Sequence, residues 1–433
     1  MLRLLVIADD LSGAADSAIA CTRTGLSAMV TLRNTLDEPQ TEVLAIDCDT
    51  RDLGPQQAAE RVSGIFSRHA SASDLIVFKK IDSTFRGNIG AELAAILRTR
   101  RDASLSERPI IIVLAPAFPA GGRTTVDAQQ FVHGIPLQES EIWTSYLDKS
   151  PTHLPSSLNA AGLRVVQFGL EAVRAGNDAL MQSMTTGSEH ADVLFCDAET
   201  DDDLHSIAEA SMVLGRETIW AGSAGLAYHL PHAAGLVGEV PYPGALSSFE
   251  TAAHGPILIL VGTMSSVARR QVEVLAGVKD IRLLPLAPSV LLAGPASEAW
   301  RDYALLLADR LRQGRDSIVM LEPDAQLERS DGPAIAKALG AMLAPHAGTV
   351  GALVASGGET ARSVLDLWGV TQLRIIGELE PGLPVSVTEG SLRPLLVVTK
   401  AGAFGTPQTF VRCIEFLRAR MGRPETISTR IPR

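Results

Sequence analysis

Short, continuous apolar runs recur along the chain and alternate with stretches of helical periodicity. Leu4–Ala8, Val43–Asp47 and Ile257–Val261 lack the in-and-out alternation of a half-buried strand. Such runs indicate strands that are covered on both faces, as in a parallel sheet. Helical stretches, for example 14–23 and 297–312, lie between them. This rhythm predicts an α/β fold whose largely parallel sheets are flanked by helices.

The rhythm is interrupted over residues 237–256, a segment rich in proline, glycine and serine. The chain has 433 residues, and a single hydrophobic core stops growing at about 250–300 residues. We therefore predict an N-terminal domain over 1–236, a linker over 237–256, a second domain over 257–421 and a tail over 422–433. Ligands are expected in the cleft between the two α/β domains.

The charge balance limits the classes of partner. Thirty-eight Lys and Arg against 49 Asp and Glu give a formal charge of −11, whereas a general nucleic-acid binder needs a basic face. No apolar run reaches the ~20 residues that span a bilayer. The four cysteines are far apart and lack metal-site spacing. These features predict a cytoplasmic protein with a small-molecule partner, and neither a nucleic-acid nor a membrane partner.

Polar clusters follow three predicted strands in the N-terminal half. Asp9 and Asp10 follow the first strand and could bind a ligand or cap the next helix. Arg51 follows the second and could pair with a carboxylate or be a solvated turn residue. The segment 79–88 mixes cations, a carboxylate and hydroxyls, which suits an anionic polyol better than a solvated charge run. The predicted acid-binding residues are Asp9, Asp10, Arg51, Lys80, Asp82, Ser83, Thr84 and Arg86.

Small residues follow three predicted strands in the C-terminal half, in loops that begin after Val261, after Ala355 and at Lys400. Such loops let backbone N–H groups approach phosphate oxygens. One glycine-rich turn is a weak signal, but three in one domain predict a nucleotide site, although Walker and dinucleotide fingerprints are absent from the sequence. The predicted nucleotide-binding residues are Thr263, Ser265, Ser266, Gly357, Gly358, Glu359, Thr360, Lys400, Gly402, Phe404 and Gly405.

These segments resemble the four-carbon acid sugar kinase family. The resemblance rests on IADDLSGAAD, KKIDSTFRGNIGAE, APAFPAGGRTT, GSAGLA, SGGETA, GELEPG and KAGAFG, which occur in family order over nearly the whole chain. It implies an N-terminal acid-sugar domain and a C-terminal nucleotide domain. The implied reaction is ATP-dependent phosphorylation of a hydroxyl of threonate, erythronate or 3-oxo-tetronate. Ser12 and Phe85 replace the family's usual Thr and Leu, so we expect them to bear on which acid fits.

Phosphoryl transfer to a hydroxyl favours a carboxylate base near the attacking oxygen. Asp82 is the first candidate for this catalytic role and Asp10 the second. Mg²⁺ is expected to bridge the ATP phosphates, and the sequence assigns it no protein ligand. Two alternatives stay open, namely a two-lobed metabolite-binding or sensor protein without catalysis and another small-molecule phosphotransferase. A homo-oligomer is also compatible with the sequence.

Overall fold

The computed structural model divides the chain into two compact units, residues 1–242 and 243–433. Most of the predicted linker and almost all of the predicted tail lie outside the described residues. The described residues are 1–32, 41–144, 151, 153–239, 254–278, 280–324, 331–390 and 393–423.

The described residues of the first unit form a sheet of eight parallel strands and a separate antiparallel sheet of three short strands. The strands are β1 (Leu4–Ala8), β2 (Ala28–Thr31), β3 (Val43–Asp47), β4 (Ile76–Lys80), β5 (Ile112–Ala115), β6 (Arg123–Val126), β7 (Gln129–Val132), β8 (Ile135–Pro136), β9 (Val165–Phe168), β10 (Val193–Cys196) and β11 (Ile219–Gly222). The parallel strands lie in the order β2–β3–β1–β4–β11–β5–β10–β9, and the short strands in the order β6–β7–β8.

Helices connect most of these strands. They are α1 (Leu11–Cys21), α2 (Pro55–Phe66), α3 (Ile89–Ala103), α4 (Glu141–Thr144), α5 (Leu154–Ala160), α6 (Leu170–Val173), α7 (Asn177–Ser188), α8 (Asp201–Ser211) and α9 (Ala224–Ala233). Leu5 and Ile7 of β1 pack with Val62 of α2 and Ile96 of α3 in one buried cluster. Each such side chain contributes roughly 1.5–3 kcal/mol when fully buried. All residues of β1, β3 and β4 are buried, which is why β1 is apolar throughout and β3 and β4 are apolar up to Asp47 and Lys79.

In the part of the second unit that the structure describes, seven strands form one mixed sheet. Its strands are β12 (Ile257–Val261), β13 (Arg282–Leu286), β14 (Ser317–Leu321), β15 (Ala352–Ser356), β16 (Gln372–Glu378), β17 (Pro384–Glu389) and β18 (Leu396–Lys400). They lie in the order β13–β14–β12–β15–β18–β17–β16. The first five in this order are parallel, and β17 runs antiparallel to both β18 and β16. The prediction of largely parallel sheets flanked by helices is confirmed in both units.

The core of the second unit lies between this sheet and its helices. The helices are α10 (Ser266–Ala276), α11 (Pro288–Ala293), α12 (Glu298–Arg312), α13 (Gly332–Leu343), α14 (Gly358–Leu367) and α15 (Thr409–Arg420). Ile257 and Ile259 of β12 pack with Val272 of α10 and with Phe410 and Ile414 of α15. In the described part of the chain, no helix has both the length and the apolar character needed to cross a membrane.

Candidate functional site

Three adjacent strands of the first unit end at the same level. Ala8 of β1 is the register partner of Asp47 on β3 and of Lys80 on β4. Within the sheet, β2 and β3 lie on one side of β1, and the next strand along the chain, β4, lies on the other side of β1. Ligands of open α/β sheets bind at such a switch point, beyond the carboxyl ends of the strands. The loops that carry the predicted acid-binding residues therefore begin side by side.

Arg51 connects the carboxylates that follow β1. Its Nε donates to Asp9 Oδ2 at 2.8 Å, and its Nη1 donates to Asp10 Oδ2 at 2.6 Å. Its Nη2 lies 3.8 Å from Asp82 Oδ1. Burial alone raises the pKa of Asp9, but the positive charges of Arg51, Lys79 and Lys80 bring that pKa below its usual value. One guanidinium thus lies within reach of all three carboxylates, and Oδ1 of Asp9 is buried without a hydrogen-bond partner among the described residues.

Asp82 is the centre of the loop after β4. Arg86 binds it in a bidentate manner, with Nε 2.7 Å from Oδ2 and Nη2 2.7 Å from Oδ1. The hydroxyl and the backbone N–H of Thr84 both donate to Oδ2. Burial raises the pKa of Asp82. The charges of Arg86 and Arg51 and the hydrogen bonds from Arg86 and Thr84 outweigh this effect and hold the pKa well below its usual range. Asp82 is therefore an ionised group whose lone pairs are already largely engaged.

A fully buried ion pair connects β4 to α3. Lys79 Nζ is 2.8 Å from Glu92 Oε2 on α3, and Lys79 also donates to the Lys80 carbonyl oxygen at 2.8 Å. Burial lowers the pKa of Lys79, but Glu92 and Asp9 raise it above the usual value. The ammonium therefore stays charged and adds to the positive potential at Asp9.

The structure brings most of the predicted acid-binding residues together, namely Asp9, Asp10, Arg51, Asp82, Thr84 and Arg86. Lys80 Nζ donates to the Ile81 carbonyl oxygen at 2.8 Å. The Lys80 ammonium also lies close to Gly13 of α1, since a Cβ atom added at Gly13 would be 3.0 Å from Lys80 Nζ. Phe85 is fully buried in the core, so its side chain does not line the loop surface. The binding roles themselves stay predictions.

Three adjacent strands of the second unit also end in register. Val261 of β12 is the partner of Ser356 on β15, which is the partner of Lys400 on β18. The Ser265 side chain makes no capping hydrogen bond to the first turn of α10. The N-cap residue of α14 is Gly357, which has no side chain that could cap the helix. Uncapped backbone N–H groups at helix N-termini are suited to phosphate oxygens. The three predicted nucleotide loops therefore meet at one edge of this sheet.

Glycine allows these loops to approach one another closely. A Cβ added at Gly262 would lie 1.9 Å from Thr360 Oγ1, and one added at Gly402 would lie 2.3 Å from Thr263 Oγ1. Gly357 has φ +114°, a backbone conformation that favours glycine. Thr263 and Thr360 thus pack directly against backbone of the neighbouring loops, which fixes the relative positions of the three loops.

We expect Gly402→Ala to raise the KM for ATP about tenfold while the KM for the acid changes less than twofold. The new methyl group would overlap Thr263, and overpacking typically costs ~1–3 kcal/mol, so the loops must separate. Steady-state kinetics with each substrate varied in turn checks this. Gly348→Ala is the matched control, because a Cβ there meets nothing within 4 Å. An unchanged KM for ATP in Gly402→Ala would place the nucleotide elsewhere.

Lys400 holds its own loop. Its Nζ donates to the carbonyl oxygens of Ala401, Gly402 and Phe404 at 3.0–3.1 Å. Three acceptors require three N–H donors, which only the ammonium form supplies. Burial lowers the pKa of Lys400 to about 7. Below about pH 7 the Lys400 ammonium therefore binds the loop backbone with all three of its N–H donors.

Two further side chains support this loop and were not predicted from the sequence. Gln271 Nε2 donates to the carbonyl oxygens of Phe404 and Thr406, both at 3.0 Å. Glu380 accepts hydrogen bonds from Thr409 and Arg412. The signal for Gln271 was a polar residue on the apolar stripe of α10, where the neighbouring positions are buried. Glu380 lies in the GELEPG segment, which by itself indicates no contact.

Comparison with known proteins assigns the two units. Residues 4–230 match the family model of a sugar-binding N-terminal domain, and residues 258–410 match that of a nucleotide-binding C-terminal domain. A solved Haemophilus influenzae protein from a domain family of unknown function has the same fold, with a TM-score of 0.68 at 20% identity. The match covers 95% of this chain and 100% of that protein.

Two enzymes of known activity are similar over nearly their whole length. The D-threonate kinase of Cupriavidus necator is 37% identical over 409 residues, which cover 93% of this chain and 95% of that enzyme. The 3-oxo-tetronate kinase of Methylobacterium radiotolerans is 28% identical over 449 aligned positions, which cover 96% and 99% of the two chains. With both domain models matched in order along the sequence, the chain belongs to the four-carbon acid sugar kinase family and is a sugar acid kinase.

Proposed function

We propose that this kinase transfers the γ-phosphoryl group of ATP to a hydroxyl of D-threonate. The identity of 37% to the D-threonate kinase of Cupriavidus necator supports this choice of acid. The observation that carries the proposal is the cluster of Arg51 and Arg86 with the carboxylates of Asp9, Asp10 and Asp82 at the ends of β1, β3 and β4. Cations for a carboxylate beside acceptors for hydroxyls match the two kinds of group on a four-carbon sugar acid.

In this proposal Arg86 and Arg51 bind the carboxylate of the acid. About a quarter of the Arg86 side chain is exposed, more than of Arg51 or Asp82, so Arg86 is the cation best placed to reach a ligand. Asp9 and Asp10 accept hydrogen bonds from the hydroxyl groups of the acid. The Thr84 hydroxyl, whose proton goes to Asp82, also accepts, and the Ser83 hydroxyl can accept or donate. When the acid carboxylate binds Arg86, it replaces part of the ion pair between Arg86 and Asp82. The guanidinium is therefore already partly desolvated, which limits the desolvation cost of binding.

The loops at the ends of β12, β15 and β18 bind the ATP phosphates through backbone N–H groups and hydroxyls, and Lys400 supports the third loop from below through its carbonyl oxygens. Mg²⁺ prefers oxygen ligands and usually keeps several waters, with one or two carboxylates and the phosphates completing its shell. Ser265, Thr263 and the exposed Glu359 offer such oxygen atoms. When bound, the ion neutralises phosphate charge as the terminal phosphoryl group is transferred.

Asp10 suits the role of general base better than Asp82. The effectiveness of a base is greatest when its pKa lies near the operating pH, whereas Arg86, Arg51 and Thr84 hold the pKa of Asp82 well below its usual range. Asp10 accepts one hydrogen bond on each oxygen, from the Gly13 N–H at 2.8 Å and from Arg51. Each oxygen keeps a further lone pair for a substrate hydroxyl. We therefore propose Asp10 as the base and Asp82 as the group that orients Arg86.

A coupled ADP-release assay tests the proposed substrate. D-threonate, L-threonate, D-erythronate and both 3-oxo-tetronate enantiomers are supplied separately with Mg·ATP, and a reaction without acid measures background hydrolysis. We expect the highest kcat/KM with D-threonate, by at least about tenfold over its diastereomer, since one misplaced hydroxyl leaves a buried polar group unpaired. A preference for erythronate or a 3-oxo-tetronate would overturn the assignment of the acid while leaving the kinase activity in place.

A further inference from the structure

A buried amide connects the three-stranded sheet of β6, β7 and β8 to the loop after β4. Gln130 on β7 is 1% exposed, and its Nε2 donates to the Ser83 carbonyl oxygen at 2.9 Å. Ser83 lies directly between Asp82 and Thr84, whose side chains form the hydrogen-bonded centre of the loop. This contact therefore fixes the backbone of the loop at the point from which its functional side chains extend.

The orientation of the Gln130 amide is set by Thr125, its register partner on β6. The Thr125 hydroxyl donates to Gln130 Oε1 at 2.9 Å. Because the amide oxygen accepts from Thr125, the amide nitrogen is the atom that faces Ser83. Both side chains are buried and satisfied by each other and by the loop, as buried polar groups generally are.

The small sheet is itself fixed to the end of β10. Thr125 N–H donates to the Ala198 carbonyl oxygen at 2.8 Å. The turn between β6 and β7 has positive φ at two non-glycine residues, 49° at Asp127 and 59° at Ala128. Ala128 N–H donates to the Asp197 carboxylate, 3.1 Å from Oδ1 and 3.3 Å from Oδ2. Such strained backbone persists only where its surroundings hold it, and it is often found next to functional sites.

The loop after β4 carries matching strain. Phe85 has φ +62°, and its N–H donates to the Asp82 carbonyl oxygen at 3.0 Å, which closes a turn. Its ring is buried in the core. The core thus holds the loop from one side through Phe85, and Gln130 holds the Ser83 carbonyl from the small sheet.

We infer that Gln130 is a positioning residue for the acid, acting through the Ser83 carbonyl to place Thr84, Asp82 and Arg86. The inference rests on the proposal that the loop after β4 binds the acid. Gln130 itself does not extend to the exposed face of the loop, because its side chain is buried between Thr125 and Ser83. Its effect on turnover therefore passes through the loop geometry alone.

Steady-state kinetics of Gln130→Met with D-threonate and ATP varied in turn tests the inference. Methionine has similar volume but no N–H donor. We expect kcat/KM for D-threonate to fall about 10- to 100-fold, since a misplacement of about 1 Å can cost on the order of 10²-fold. The KM for ATP should change less than twofold. Thr125→Val should act in the same direction, Thr125→Ser should stay near wild type, and the Gln130→Met/Thr125→Val double variant should be no worse than Gln130→Met.

Three controls separate positioning from general destabilisation. Val132→Ala removes buried volume from the same strand, so it should lower Tm but leave kcat/KM within threefold well below that Tm. Gln129→Met, at an exposed position of β7, should behave as wild type. Arg86→Ala reports on the loop itself and should lower kcat/KM for the acid.

Equal losses in Gln130→Met and Val132→Ala at equal loss of Tm, or a matching rise in the KM for ATP, would overturn the positioning role. If Gln130→Met does not fold, the comparison of Thr125→Val with Thr125→Ser decides the question, and equal kinetics for these two variants contradict the inference. If Arg86→Ala keeps full activity toward the acid, the proposed acid site is wrong and the inference is lost with it. A loss in Arg86→Ala without a loss in Gln130→Met rejects the inference alone.

Discussion

Replacing Arg51 with methionine is expected to lower kcat/KM for the acid by about 10²- to 10³-fold, with less than a threefold change in the Kd for ATP. Truncating one member of a buried, hydrogen-bonded charge pair typically costs ~2–5 kcal/mol. Arg51 donates hydrogen bonds to Asp9 and Asp10 and lies close to Asp82. Its loss leaves three carboxylates facing one another without their shared cation, in addition to the loss of a partner for the acid.

The pH dependence gives a second measure of the same change. In the wild-type enzyme burial raises the pKa of Asp9, but the neighbouring cations lower it by more. Arg51 makes the largest contribution among these cations. Removing Arg51 raises that pKa, so activity should disappear at a higher pH as the solution is acidified. The acidic limb of the kcat/KM profile is therefore expected to move to higher pH in Arg51→Met.

Arg98→Met is the matched control, because Arg98 is an exposed residue on α3 of the same unit. It removes the same charge without touching the cluster and should change kcat/KM less than twofold. Titration calorimetry with ATP and steady-state kinetics with the acid give both readouts. Retention of activity within threefold in Arg51→Met, or an equal loss in Arg98→Met, would contradict the role given to Arg51.

Asp10→Asn is expected to lower kcat about 10²- to 10⁴-fold, the usual contribution of a general base, with little change in the KM for the acid. An amide cannot take the proton of the attacking hydroxyl. Asparagine keeps an oxygen for the Gly13 N–H and is itself a good N-cap residue, so α1 should begin as it does now. The substitution thus keeps the N-cap of α1, while it removes both the proton-accepting carboxylate and its ion pair with Arg51.

Asp82→Asn should have the opposite signature, a raised KM for the acid with a smaller loss in kcat. The substitution weakens the bidentate contact with Arg86 and so releases the side chain that binds the acid. Asp74→Asn, at an exposed position before β4, is the control and should be neutral. If Asp82→Asn abolishes turnover while Asp10→Asn keeps it, Asp82 is the base; a loss below about tenfold in both variants would exclude a carboxylate base.

The position of both sites could be predicted from the sequence because parallel strands bury both faces. Continuous apolar runs marked the ends of β1, β3 and β12 to the residue, and polar or small residues directly after such runs can only lie at the edge of the sheet. The pairing of side chains could not be predicted in this way. Arg51 and Asp9 are 42 residues apart, and their contact depends on the register of two strands rather than on a local pattern.

Several of the elements that the sequence analysis missed lack a continuous apolar run. β6 and β7 have four residues each, of which at least two are polar, and their pairing depends on Asp197 and on a strained turn. β16 alternates buried and half-buried residues, as expected for an antiparallel strand at one side of the sheet. Helix α1 begins at Leu11 and not at residue 14, because Asp10 caps it and Ser12 and Gly13 continue it despite their weak helix propensity.

The buried ion pair between Lys79 and Glu92 restricts how this sequence can drift over evolutionary time. Loss of either partner leaves an uncompensated charge in the interior, which typically costs ~3–5 kcal/mol, whereas joint replacement by apolar residues of similar volume is often tolerated. Total stability of a typical fold is only ~5–15 kcal/mol, so most single-step paths through these two codons are closed. We expect Lys79 and Glu92 to be inherited as a unit, and lineages that have lost one of them to have lost the other as well.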